Sequence, residues 1–311
     1  MKKLTVILLL LSSFLGYSQS EKELYTSANK EVEKGNYEKA LEFYNQVIEL
    51  NKNNEKYYQE RGNCFLELGK KEEAYNDFNR ALEMNPENAV TYHLRALLFY
   101  SVAEPQLAIM DNDDCVKLAT NDSLKYSCIL NRGNAKMFIR DFEGAYEDYM
   151  LFYQHDSMNV GVLTNLGALL DELGRQQEAI TYLKRVIEIN PKDIGGLGNL
   201  GYQYLQMEKY KEAIKLFKKV QKIQKQEPYS LNNLGFCYYK LGNHKKALKY
   251  INQSIEQFKQ NAYAYKNRAL VQLALNKKDL ACLDLNQAKD LGFTLTYGEE
   301  VNQLLEKHCN K

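Results

Sequence analysis

The chain of 311 residues has no tryptophan, only 4 prolines and 4 histidines, and almost no net charge, 41 basic residues standing against 40 acidic ones. Each shortage excludes something. A protein that grips nucleic acid mainly through its phosphates concentrates positive charge, and this balance argues against that class of partner. The histidines, His93, His155, His244 and His308, are scattered, and no CxxC or HExxH occurs, so no spacing suits a metal centre. With so few prolines, helices run without their commonest interruption. Nothing beyond the N-terminus is long and apolar enough to cross a bilayer, which needs roughly 20 such residues.

The N-terminus itself reads as a targeting segment. Lys2 and Lys3 precede an apolar stretch over residues 4–15, and Gly16-Tyr17-Ser18 places small residues where a signal peptidase reads them. The expectation is a signal peptide over residues 1–18, cleaved before Gln19. That implies a protein exported to a periplasm or secreted, with no stable membrane insertion after cleavage. Its six cysteines, Cys64, Cys115, Cys128, Cys237, Cys282 and Cys309, would then meet an oxidising environment.

What the chain does contain is repetition. "NLGALLDELG" at residues 165–174 returns as "NLGYQYLQME" at 199–208 and "NLGFCYYKLG" at 233–242. A 34-residue frame holds eight copies: 21–54, 55–88, 89–122, 126–159, 160–193, 194–227, 228–261 and 262–295, with residues 123–125 inserted between the third and fourth. Position 20 is always alanine: Ala40, Ala74, Ala108, Ala145, Ala179, Ala213, Ala247 and Ala281. Position 8 is always small, as at Gly62, Gly133, Gly167, Gly201 and Gly235, and position 4 is always large and apolar or aromatic. Position 24 is large except at Asn112. Apolar residues at 4, 7, 8 and 11 share one helical face, those at 20, 24, 27 and 28 another, and a Gly or Asn near position 15 breaks the chain between them. The pattern resembles the tetratricopeptide repeat. That resemblance, over residues 21–295, implies an all-α fold: a right-handed α-solenoid of eight helical hairpins. A C-terminal capping helix within 296–311, with Val301, Leu304 and Leu305 on one face of residues 297–308, would close the open hydrophobic edge.

Arginine occupies position 7 in four repeats, and those same four carry aspartate at position 23: Arg61 with Asp77, Arg95 with Asp111, Arg132 with Asp148, Arg268 with Asp284. They read as ion pairs tying the two helices of a hairpin together, since a buried charge must be compensated. Cys282 and Cys309 read either as a disulfide stapling the cap or as two separate thiols. Cys115 and Cys128, on neighbouring helices, form a weaker candidate pair, and Cys64 and Cys237 read as small buried apolar residues. "DNDD" at residues 111–114 lacks the glycine and closing glutamate of a calcium loop and falls in a helix. "DIGGLGN" at 193–199 has no strand before it, so it reads as a locally loosened first helix rather than a phosphate loop.

Position 6 is asparagine in repeats four to eight: Asn131, Asn165, Asn199, Asn233 and Asn267. It lies away from the packed positions 4, 8 and 11. The resemblance puts first helices on the inner, concave wall, so these five would form a row there, similar to the asparagine ladders in the repeat domain of O-linked N-acetylglucosamine transferase and in armadillo-repeat importins. A carboxamide both donates and accepts, so such a row can hold the main chain of an extended segment. The alternative is inert, solvent-facing amides. Aromatics join the same face: Tyr202 and Phe236 at position 9, Tyr229 and Tyr263 at position 2. The set Lys, Asn and Arg needed to clamp a C-terminal carboxylate does not assemble. The function expected is a non-enzymatic interaction scaffold that binds a protein or peptide in the groove, with no cofactor, metal or small-molecule substrate. A structural subunit of an envelope or secretion assembly, working through its convex face or edges, is the alternative.

Overall fold

The computed structural model describes residues 20–309, so the expected signal peptide at 1–18 lies outside the described residues. Contacts divide the chain into two compact units, with the division after Phe152. The first holds α1 (Glu21–Glu33), α2 (Tyr37–Leu50), α3 (Glu55–Glu67), α4 (Lys71–Met84), α5 (Ala89–Ser101), α6 (Pro105–Leu118), α7 (Asp122–Phe138) and most of α8 (Phe142–His155). The second holds α9 (Val160–Glu172), α10 (Gln176–Ile189), α11 (Ile194–Gln206), α12 (Tyr210–Ile223), α13 (Pro228–Lys240), α14 (His244–Gln257), α15 (Ala262–Ala274), α16 (Lys278–Asp290), α17 (Phe293–Tyr297) and α18 (Glu300–His308). No strand occurs among the described residues. Consecutive helices pack as antiparallel hairpins, an all-α solenoid of repeats.

Local chemistry sets the helix ends. The last residue of a repeat caps the next first helix: Asn54, Asn88, Asn159, Asp193, Glu227 and Asn261 each accept a backbone N–H from the following turn. Asn121 does so for α7, and the three inserted residues together with Asp122 lengthen that helix to 17 residues against 13 in α5. Between the two helices of every hairpin, position 15 is left-handed. Gly35, Gly69, Gly174 and Gly242 take φ of 76, 70, 69 and 73°, but Ala103, Arg140, Glu208 and Asn276 are held at 60, 64, 58 and 58°. At Glu208 the closing bonds are a Schellman pair, Glu208 N–H to Leu205 O at 2.9 Å and Lys209 N–H to Tyr204 O at 2.8 Å. A side chain in this conformation is strained by about 1 kcal/mol. Glu208→Gly therefore raises stability by about 1 kcal/mol, read as a higher urea midpoint; an unchanged or lower midpoint contradicts the strain.

The core follows the repeat frame. All eight position-20 alanines are 0–1% exposed. The position-8 glycines sit under position 24: a Cβ added to Gly201 would stand 2.7 Å from the Phe217 ring, and one on Gly167 would stand 2.5 Å from Leu183. Asn112, the polar exception at position 24, is buried and donates to Ala108 O at 2.8 Å. Two expectations need correction. Residues 193–199 are not loosened: α11 is regular, and Gly196 is small because a Cβ there would lie 2.4 Å from Val186 of the preceding hairpin. The capping helix does not begin at Tyr297, which ends α17; Gly298, at φ 89°, breaks the chain before α18. Val301 and Leu305 are buried against Phe293, Leu285 and Ala288.

The paired charges have a common geometry. Arg61 donates to both Asp77 oxygens at 2.7 and 2.8 Å, Arg95 to Asp111 at 2.8 and 2.8 Å, and Arg268 to Asp284 at 2.8 and 2.7 Å. Arg132 reaches Asp148, which also accepts from Lys136 at 2.8 Å. The sequence reading missed the third guanidinium nitrogen. It reaches back to position 25 of the preceding repeat: Asn45, Asn79, Asp113 and Asn252, at 2.8, 2.6, 2.6 and 2.9 Å. Each arginine thus binds within its hairpin and across to the neighbouring one. Cys115 is bonded to Cys128 and Cys282 to Cys309, while Cys64 and Cys237 are buried thiols.

Candidate functional site

In the second unit the first helices touch their counterparts directly, α9 with α11, α11 with α13, and α13 with α15. Residues on their shared face are consequently neighbours. Asn199 and Asn233, one repeat apart, line a hollow of about 350 Å³ with Tyr202 and Tyr229. Its floor is opened by Gly198, where an added Cβ would meet nothing within 4 Å. Tyr202, Tyr229 and Asn233 also line an adjoining hollow of about 390 Å³ that extends to Tyr263, Tyr297 and Glu172. Tyr229 is 59% exposed, so a large aromatic surface stands ready to be covered.

Two of these phenols, Tyr202 and Tyr263, are held protonated at neutral pH. Burial, and then the carboxylates of Asp171 and Glu172, push the Tyr202 hydroxyl upward, and Gln206 donates to it at 2.5 Å. Burial, followed by Tyr202, Tyr297 and Glu300, pushes Tyr263 up to about 12.

The other expected site residues fall elsewhere. Asn131 is half-buried on α7 in the first unit. Asn165 is half-buried on α9 and lines neither hollow. Asn267 is turned inward, 4% exposed, and donates to Asn232 Oδ1 at 3.0 Å. The asparagine at position 5, Asn232, is itself buried and recruits it, so the expected row ends at Asn233. Phe236 is half-buried and packs against the core from outside the two hollows, with the Lys240 and Lys266 ammonium groups each 5.6 Å from its ring. Lys266 went unnoticed in the sequence: it is 6% exposed and bound to Glu300 of the cap at 3.1 Å. Burial pushes its ammonium down, opposed by Glu300.

A further hollow of about 410 Å³ in this unit is lined by Ile187, Leu200, Tyr204 and Leu216, with Lys184, Lys215 and Lys219 and the carboxylates of Glu188 and Glu212 around it. Among the described residues, one group of three side chains could hold a metal ion: His93, Cys115 and Cys128. The disulfide withholds the two thiolates that a metal would need.

Models of the tetratricopeptide repeat match residues 55–88, 160–193 and 196–260, and a model described as TPR repeat matches 28–69. No curated protein matches the sequence. Among solved structures, the fold resembles a chain of the APC/C hetero-tetramer Cut9–Hcn1, at TM-score 0.67 and 20% identity, over 96% of this chain and 58% of that one. This chain therefore spans little more than half the length of that relative. It also resembles a tetratricopeptide repeat protein from Parabacteroides merdae, at TM-score 0.68 and 18% identity, over 82% of this chain and 99% of that one. At these identities the likeness concerns the fold.

Proposed function

Because the chain belongs to the tetratricopeptide repeat family, whose repeats form protein-interaction scaffolds, we propose that it is a non-enzymatic scaffold holding an extended protein segment on the first-helix face of its second unit. The observation carrying this reading is the convergence of Asn199, Asn233, Tyr202 and Tyr229 on one hollow. Carboxamides meet the guest's main chain, which every extended segment presents, while the exposed tyrosine supplies area with few torsions to freeze. We propose an exported location as well. Two bonded cysteine pairs support it, since disulfides persist in oxidising compartments.

A photo-crosslinking residue at Tyr229 should capture the partner in the native cells, and Asn199→Ala combined with Asn233→Ala should weaken that partner's binding about 30-fold, two hydrogen bonds being lost. Helicity by circular dichroism should be unchanged. Unaltered affinity in the double variant removes the asparagines from the reading. The alternative, a structural subunit working through the outer face, is favoured by the apolar lining of the hollow beside Lys184, Lys215 and Lys219. It predicts capture from Lys219 instead, with binding indifferent to the asparagine changes.

A further inference from the structure

Independently of the groove, we infer that the second helices of repeats six and seven form a basic docking surface for an acidic segment of a partner protein, which sets one large apolar side chain into the hollow beside Lys215 and Lys219. The balanced charge of the whole chain conceals this surface. Residues 209–259 hold 12 lysines against 3 glutamates, with no aspartate and no arginine. Five of those lysines, Lys211, Lys215, Lys218, Lys219 and Lys222, belong to α12, and at about 3.6 residues per turn they fall within roughly a third of its circumference. All five are exposed, while the helix buries Phe217 and Val220 on its other side. To these α14 adds Lys245, Lys246 and Lys249, also exposed. The two sets meet: the Lys218 and Lys246 ammonium groups lie 5.9 and 5.2 Å from the same Tyr238 ring.

Like charges gathered in this way repel, and the chain supplies little to offset them. Elsewhere exposed cations pair one turn away on their own helix, as Arg80 with Glu83 at 3.0 Å and Arg185 with Glu188 at 3.0 Å. Among the described residues no ion pair holds any lysine of α12 or α14. Of the carboxylates on these elements and around the hollow, Glu188 is bound by Arg185, Glu227 caps α13, Glu212 stands in the first turn of α12, and Glu256 lies near the end of α14. The repeat frame does not ask for lysine here. Positions 18 and 22, lysine in both repeats, are Glu38 and Glu42 in the first repeat and Glu143 and Glu147 in the fourth. The hollow then decides between anionic partners. Its apolar side chains are recessed, Leu200 at 4% and Leu216 at 9% exposure, with Lys184, Lys215 and Lys219 around them. A flat phospholipid surface cannot reach them, and the phosphates of a nucleic acid gain nothing from them. A protein segment carries both parts: a leucine or phenylalanine for the space of about 410 Å³, and flanking carboxylates for the lysines.

The test uses the purified protein and the end-capped, dye-labelled peptide Ser-Glu-Asp-Leu-Glu-Asp-Ser, with affinity read by fluorescence anisotropy. The serine form Ser-Glu-Asp-Ser-Glu-Asp-Ser keeps the charge, and the amide form Ser-Gln-Asn-Leu-Gln-Asn-Ser keeps the leucine; each should bind about tenfold more weakly. Lys215→Glu with Lys219→Glu should abolish binding of the acidic peptide and create binding of Ser-Lys-Lys-Leu-Lys-Lys-Ser. Helicity should be unchanged in that variant, since both side chains are exposed. Asn199→Ala with Asn233→Ala should leave the affinity for the acidic peptide as it was. Equal binding of the leucine and serine forms, or an affinity indifferent to the lysine reversal, overturns the surface. So does loss of the peptide in the asparagine variant, which would put it in the groove. Phosphatidylglycerol vesicles or single-stranded DNA held through Lys215 and Lys219, with the peptides ignored, overturn the acidic protein segment. Absence of peptide binding at millimolar concentration overturns it as well and leaves the groove reading standing.

Discussion

Asp111→Ala should lower the stability of the first unit by about 3 kcal/mol or more, the range for breaking a buried ion pair from one side. The carboxylate side chain is 7% exposed and the Arg95 side chain 19%. With Asp111 gone, the guanidinium keeps its bond to Asn79 and its place beside the Tyr92 and Phe99 rings, at 5.6 and 5.7 Å, but loses both bonds that neutralise it. It can reach water only by abandoning those contacts. The double variant Arg95→Leu with Asp111→Leu orphans no charge and restores apolar packing, so it should be less destabilised than the single one. Urea unfolding followed by circular dichroism ranks the two. A single variant as stable as the double one would mean that Arg95 swings free at no penalty, and that the pair does not tie the hairpin. The same comparison at Asn79→Ala should give a smaller loss, because a neutral acceptor supplies only the inter-hairpin bond.

How much of this was legible depends on whether a residue answers to its own repeat or to a neighbour. The hairpins could be read because position 20 and position 8 answer to the same hairpin: Ala213 and Gly201 face each other's helices in one unit of 34 residues. Register within one hairpin therefore writes itself into the period. The Arg–Asp spacing belongs to the same class. The reach of each arginine to position 25 of the preceding repeat was equally periodic, in Asn45, Asn79, Asp113 and Asn252, but it becomes visible only when adjacent frames are read together.

Departures arose where one polar residue changed its neighbours' options. Asn232 occupies a buried position that is Thr164 and Gly198 in the two preceding repeats, and it pulls Asn267 inward. Periodicity assigns Asn267 the environment of Asn233 and has no means of seeing that exchange. Gly196 misled in a different way. Glycine in a helix reads as a loosening, by about 1 kcal/mol against alanine, but here the missing Cβ is what lets Val186 approach. The pairing of Tyr202 with Tyr229 and Tyr297 in one hollow was out of reach of the sequence, because Tyr297 enters through the turn that follows the last repeat.

That turn and the helix after it are where the second large effect is expected. Replacing both cysteines of the terminal bridge, Cys282→Ala with Cys309→Ala, should destabilise the cap by about 3.5 kcal/mol, the chain-entropy value for a loop of this size; the two residues are 27 apart in sequence. The helix α18 has few residues with which to hold itself. Val301 and Leu305 are its buried side chains, and Lys266–Glu300 is its ion pair to the repeats. Without the bridge the helix opens more often, and each opening strips Lys266, 6% exposed, of its counter-ion and uncovers Phe293. The loss should therefore spread from the cap into α15 and α16 before it reaches α9. Hydrogen exchange should show early deprotection of residues 300–308, then of 262–290, and reduction of the native protein with dithiothreitol should reproduce the pattern. Identical protection of 300–308 with and without reductant would show that packing alone holds the cap. Because Tyr297 borders the tyrosine-lined hollow, the same variant should also weaken binding of a segment held on the first-helix face, while Cys64→Ala, a change at a buried thiol in the first unit, leaves it unaffected.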